Sequence, residues 1–180
     1  TSRWMFSSSL VISATRVELT GMTRSMTWLY RATPALRQFL VMPPQTLGMD
    51  RICAAVGAYA QVGKGPLLVV NAGTAVTYDY VDAAGDYLGG GISPGLTTRF
   101  RALHEYTAAL PLVQAEGALQ LVGNDTETSI RSGVVNGLAA EIDGIVARYR
   151  SLAGPELKVF LAGGDADFLG NHLKNVTFVV

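Results

Sequence analysis

Cysteine is almost absent from this 180-residue chain: Cys53 is the only one, and there are only two histidines, His104 and His172. A single thiol excludes an intramolecular disulfide and a thiolate metal cluster, and makes a reducing compartment the default expectation. The histidines show no HExxH-type ligand spacing, and structural or solvated roles are expected for both. Excess charge of either sign is also lacking, with 14 basic and 14 acidic residues spread along the chain. No basic patch argues for nucleic acid, and no like-charge block suggests an interaction tail. No apolar run reaches the roughly 18 residues needed to cross a bilayer. Trp4-Met5-Phe6 is broken by Ser7 to Ser9, which argues against a secretory signal. GxxxxGK[ST] and GxGxxG phosphate loops are both missing. The expectation is a globular, cytoplasmic protein without nucleic-acid or membrane partners. The chain starts without methionine and stops on an apolar run, so its ends are expected to be cut.

What is present is ample apolar material, 49% of the residues, in alternating strand and helix patterns. "SLVISA" (9–14) reads as a short buried strand, and residues 20–40 read as two helical pieces broken near Thr33-Pro34. "VMPPQTLG" is a loop. From Asp50 to about Val62 the pattern is helical, with Ile52, Ala55, Val56 and Tyr59 on one face. "PLLVVN", "TAVTYDYV" and "YLGGGI" are three strands joined by a tight Gly-Thr turn and by "DAAGD". Asp79, Asp82 and Asp86 are assigned to turn chemistry. Pro94 is expected to open a helix to about Thr107, and a long helix to span roughly Thr126 to Leu152. Gly133 and Gly137 inside it imply close packing of another helix, within the subunit or across a dimer. "LKVFLAGG" is a strand ending in a diglycine turn, followed by a short helix and a last strand. The sum is an α/β layered fold with a mixed sheet.

Chemistry concentrates at three places. The Ala72-Gly73-Thr74 turn reads either as a plain hairpin or as an anion-binding concavity, with Thr74 adding a hydroxyl for a phosphate oxygen. "LAGGDA" (161–166) repeats the logic, and the two turns together suggest one nucleotide gripped from two lobes. In "TLGMDR" (46–51), Asp50 reads either as a helix cap or as a general base for an alcohol. Arg51 reads as a clamp for a carboxylate or phosphate, and an adjacent guanidinium favours the ionised carboxylate that a base requires. "GISPG" (91–95) matches the G-x-S-x-G nucleophile elbow in form only. That elbow needs the backbone N–H after the serine, and Pro94 has none.

"TLGMDRICAAVGA", "NAGTAVTYD", "YLGGGISPGLTTRFRALHEYTAALPLV", "TETSIRSGVVNG" and "FLAGGDA" occur here in the order seen in type III pantothenate kinases, formerly grouped with Bvg accessory factors. The chain resembles that family over roughly residues 8–178. The resemblance implies the actin-like fold (acetate and sugar kinase/Hsp70/actin) of RNase H-like lobes with mixed sheets, truncated here at both ends. Residues 1–66 would be the remainder of a first lobe, carrying the GMDR loop, and 67–180 the second lobe. It implies a homodimer that phosphorylates the primary hydroxyl of pantothenate from ATP, the first step to coenzyme A, with Mg²⁺ and a monovalent cation (K⁺ or NH₄⁺). Asp50 would accept the hydroxyl proton, with Gly48, Met49 and Arg51 lining the substrate and Thr126 binding it at the dimer interface. Gly73 and Thr74 would meet ATP phosphate, and Gly163 and Gly164 the adenosine. The sequence departs from the family at both ends and at three residues. The first phosphate loop and the closing helix are missing. Asn71 replaces the acid at the cation position, Val41 an aromatic substrate contact, and Ala162 a threonine before the adenosine glycines. The alternatives are an impaired, ligand-binding or regulatory family member, and an actin-like kinase for another small alcohol.

Overall fold

Side chains alternate across a strand and recur every three to four residues along a helix, and these two periods divide the structure. The computed structural model describes residues 48–179. The strand expected at 9–14, the helices at 20–40 and Val41 lie outside the described residues. Five strands form one sheet in the order β3-β2-β1-β4-β5. They are β1 Leu67–Ala72, β2 Ala75–Val81, β3 Tyr87–Pro94, β4 Lys158–Ala162 and β5 Phe178–Val179. β1 to β3 are an antiparallel meander, whereas β4 pairs parallel to β1 and β5 parallel to β4. β1 is central and nearly all apolar because both its faces are covered; β3 is an edge whose residues alternate between buried and open.

Helix α1, Met49–Val62, covers one face. Ala55 and Ala58 are buried there against Leu67, Val69, Val81, Tyr87 and Phe160. The predicted face is close, but Ile52 is only half-buried, and small alanines occupy the points of nearest approach to the sheet. Gly63 stops the helix, donating its N–H to the Tyr59 carbonyl at 2.8 Å. The short 63–66 link then enters β1, so α1 runs back along β1 and its N-terminus lies at the carboxyl end of that strand.

The other face carries α2 Leu96–Glu105, α3 Thr126–Ala153 and α4 Ala166–Gly170. Leu96, Phe100, Ile130, Val134, Leu138 and Ile142 pack there on Leu68, Val70, Val76 and Val159, while Ile145 and Tyr149 are partly buried as the periodicity requires. The helix expected to open at Pro94 begins instead at Leu96 with Gly95 as its N-cap. Pro94 ends β3, an edge strand on which a missing N–H is tolerated. α3 opens with a reciprocal cap: Asp125 accepts from the Thr128 N–H at 2.7 Å, and the Thr128 hydroxyl meets the backbone N–H of Asp125 at 3.2 Å. Gly133 and Gly137 on α3 are exposed, and a Cβ at either would meet nothing within 4 Å. The close helix packing expected of them is therefore not made among the described residues. No helix among those residues is long and apolar enough to cross a membrane.

Candidate active site

The carboxyl ends of β1 and β4, where a mixed or parallel sheet leaves room for a ligand, are where the two glycine turns lie. Gly73 closes the β1–β2 hairpin, its N–H donating to the Ala75 carbonyl at 3.0 Å. Both hairpin residues are open: a Cβ on Gly73 would meet nothing, and Thr74 is exposed. The Thr74 carbonyl, facing the protein, accepts from the Gly95 N–H at 3.0 Å and the Thr98 hydroxyl at 2.7 Å. This fixes the bend from beneath and leaves the Thr74 side chain outward. Gly163, with φ of 103°, presses against the end of β1, where any Cβ would collide with the Ala72 carbonyl and the Asn71 amide. The Asp165 N–H then bonds that same carbonyl at 3.1 Å. Gly164, by contrast, faces open space. The sequence suggested a nucleotide gripped from two lobes. Both turns instead sit on neighbouring strands of one sheet.

Of the three aspartates expected in turn chemistry, Asp82 and Asp86 lie in the β2–β3 turn and Asp79 does not. Asp82 Oδ1 accepts from the Ala84 and Asp86 N–H groups at 2.9 Å, as a turn residue does. Asp79 lies within β2 opposite Val69 and is fully buried. A buried carboxylate must be paired and hydrogen-bonded. Asp79 Oδ1 is 2.9 Å from Arg51 Nε, 2.7 Å from Arg51 Nη2 and 2.5 Å from the Tyr87 hydroxyl. Its Oδ2 accepts from the Thr77 hydroxyl at 3.0 Å. Burial, then the hydrogen bond and charge of Asp79, push the Tyr87 phenol up, so that it remains a donor. Burial works against the Arg51 charge, but the Asp79 bond and charge outweigh it and raise its pKa. Sequence reasoning missed this cluster; its one signal was an acid at an inward position of an apolar strand.

Asp50 is exposed and follows Met49 inside the first turn of α1, whose N-cap is Gly48 and carries no side-chain cap bond. The capping alternative for Asp50 is thereby set aside. Its carboxylate turns back over Gly48, where a Cβ would collide with Asp50 Oδ1. Arg51 is anchored to β2 through Asp79, which lies opposite Val69 in the middle of the sheet, so the helix start that carries Asp50 is tied to the sheet interior. Asn71, Thr77 and Asp79 share the sheet face that α1 covers, Asn71 lying opposite Thr77 and beside Ala162.

Thr126 is the exposed first residue of α3, on the opposite layer. At about 1.5 Å per residue, the 28-residue α3 is about 42 Å long and outruns the strands it returns along. Between α2 and α3, a groove of about 610 Å³ is lined by Leu103, Tyr106, Ile130, Gly133 and Val134. Glu141 on α3 joins Arg99 at 2.5 Å and the Tyr78 hydroxyl at 3.0 Å, linking α2, α3 and β2. Arg99 Nη2 also donates to Ser93 Oγ at 2.9 Å, so the serine of the apparent elbow braces an ion pair. His104 bonds the Leu110 carbonyl at 2.8 Å and His172 packs on Phe168, both structural roles. Among the described residues no cluster of three or more His, Cys, Asp or Glu side chains has the geometry to hold a metal.

The sequence profile of the type III pantothenate kinase family matches residues 9–148. A type III pantothenate kinase of Bacteroides fragilis is 48% identical over 151 residues, covering 84% of this chain and 62% of the relative. One from Flavobacterium johnsoniae is 48% identical over 135 residues, 75% of this chain and 55% of the relative. One from Phocaeicola vulgatus is 41% identical over 177 residues, 98% of this chain and 73% of the relative. The chain thus spans little more than half the length of the first two. Among solved structures, a Campylobacter jejuni protein described as a Baf family transcriptional activator aligns with a TM-score of 0.54 and 25% identity, covering 81% of this chain and 64% of that one. With the profile matching well over half its length, this chain belongs to the type III pantothenate kinase family.

Proposed function

We propose that the protein transfers the terminal phosphoryl group of ATP to the primary hydroxyl of pantothenate, in the cytoplasm, opening coenzyme A synthesis. The Asp50 carboxylate takes the hydroxyl proton as the alcohol oxygen bonds to phosphorus and the bond to the ADP oxygen breaks. Gly48, Met49 and Arg51 line the alcohol, Gly73 and Thr74 face the phosphates, and Gly164 faces the adenosine, with Gly163 shaping that turn. Such a reaction needs mainly positioning and charge neutralisation. The observation that carries the reading is the Asp50 carboxylate. It makes no cap bond and stands at the start of α1, which the short 63–66 link sets back along β1 toward the end of the sheet where both glycine turns lie.

The finer fold assignment belongs to the same proposal. A 3-2-1-4-5 sheet with only the second strand reversed supports an RNase H-like lobe of an actin-like kinase, here 67–180, with 1–66 belonging to the first lobe. Thr126 serves the site of a partner subunit in a homodimer, which its place on the sheet face opposite α1 supports. Mg²⁺ enters with the ATP phosphates, because such ions keep few protein ligands. The monovalent cation fits poorly: Asn71 offers a neutral oxygen, and the nearby carboxylate of Asp79 is committed to Arg51. K⁺ or NH₄⁺ is therefore held weakly.

The test is ATP-dependent phosphorylation of pantothenate with potassium present, for the protein and for Asn71→Asp. Product from either supports the kinase. Binding of both ligands without product favours a second reading, a regulatory ligand-binding protein, which Asn71 and the Baf description of the structural neighbour support. Turnover of a different alcohol in preference to pantothenate favours a related kinase.

A further inference from the structure

A guanidinium carries five N–H donors in a planar fork, and a bidentate grip on a carboxylate or phosphate uses two nitrogens on one edge. Arg51 has one such edge already occupied, Nε and Nη2 both resting on Asp79 Oδ1 at 2.9 and 2.7 Å. Nη2 also approaches the Tyr78 carbonyl at 3.4 Å. Nη1 makes no hydrogen bond among the described residues. The partner carboxylate is fully buried and fixed by Tyr87 and Thr77, so it is not free to swing away when a ligand arrives. Its charge also offsets that of Arg51 at contact distance, which weakens any further pull on an anion.

From this we infer that Asp79 is a positioning residue. It holds Arg51 so that Nη1 alone is offered beside Asp50, where it reads an uncharged acceptor of the alcohol substrate, a hydroxyl or an amide carbonyl, and not the substrate's carboxylate. The inference rests on the proposed reading of Asp50 as the proton acceptor for pantothenate. It assigns Asp79, Tyr87 and Thr77 to substrate recognition through Arg51, although none of the three touches substrate.

The experiment compares binding of pantothenate and of panthenol, in which a hydroxymethyl group replaces the carboxylate, to the unaltered protein and to Arg51→Ala. Both dissociation constants rise by the same factor, about tenfold or more, the worth of one hydrogen bond to a charged donor. Arg51→Ala leaves Asp79 buried without its partner, so Arg51→Ala/Asp79→Asn, which removes both charges, carries the same comparison if the single variant does not fold. Asp79→Asn alone raises KM for pantothenate more than it lowers kcat, and the double variant loses no more affinity than Arg51→Ala. A merely structural Asp79 would give additive losses instead. If Arg51→Ala weakens pantothenate by a further factor of ten relative to panthenol, Arg51 reads the carboxylate and the inference is overturned alone. If the unaltered protein binds neither ligand, the proposed function fails and takes the inference with it.

Discussion

Gly163, with φ of 103°, packs directly on the Ala72 carbonyl and joins the end of β4 to the end of β1. Gly164, one residue on, has no neighbour within 4 Å of where its Cβ would be. Two adjacent glycines of one motif thus have different reasons for being there. Gly163 lets two strand ends meet; Gly164 leaves space.

Gly163→Ala is expected to destabilise the fold by about 2–4 kcal/mol, combining a left-handed backbone with a backbone collision. Gly164→Ala should leave the melting temperature within a degree or two and weaken ATP binding. Thermal unfolding and nucleotide titration of the two variants check both halves. Equal destabilisation by the two would show that Gly164 is structural as well.

The Glu141 ion pair gives a pH dependence with a definite sign. Burial raises the Glu141 pKa, but hydrogen bonds from Arg99, Ser93 and Tyr78 outweigh it and hold the carboxyl below its usual range. A folded value below the unfolded one makes the stabilisation complete above about pH 4.3 and lost as pH falls through the folded value. Glu141→Gln should cost about 2 kcal/mol at neutral pH and flatten the acid limb of a melting-temperature profile. An unchanged acid limb would assign acid unfolding to other carboxylates.

Much of this was legible in the sequence, for identifiable reasons. The meander and the long helix follow from local periodicity, and α3 was placed within a residue of its observed end, Ala153, by Ile130, Val134, Leu138 and Ile142 recurring every four. The Gly73 and Gly163 turns were visible because glycine between apolar runs has few local explanations. The start of α2 was misplaced by two residues, because proline suits both a helix start and an edge-strand end. Asp79 was read as a turn acid because its pairing with Arg51 is 28 residues away in sequence, and no local pattern encodes a long-range ion pair. Which of two neighbouring glycines is structural depends likewise on the end of β1, a strand distant in sequence that packs against Gly163.

Asp50→Asn separates catalysis from folding. The Asp50 carboxylate makes no hydrogen bond among the described residues, so its replacement should change stability by no more than about 0.5 kcal/mol, as for an ordinary surface site. Loss of a general base should lower kcat about 10²- to 10⁴-fold with pantothenate KM little changed. Steady-state kinetics and a melting curve on the same sample decide it. Retained kcat would remove Asp50 from the chemistry, whereas lost stability would make it a structural acid after all.

The exposed glycines of α3 allow stability and assembly to be pulled in opposite directions. Glycine within a helix is less favourable than alanine by about 1 kcal/mol, and no described neighbour fills the space over Gly133 or Gly137. In an isolated subunit, Gly133→Ala/Gly137→Ala should therefore stabilise the fold. If this face instead meets the same face of a second copy, the added methyl groups would hold the two helices apart. The expected result is a dimer with a raised dissociation constant and a monomer with a higher melting temperature, measured by sedimentation velocity and by unfolding at high dilution. The groove beside Gly133, lined by Tyr106 and Ile130, lies on the same side and should lose solvent protection together with the dimer. Unimpaired dimerisation with a more stable monomer would place the interface elsewhere, and Thr126 at the head of α3 would then lose its route to a partner's substrate.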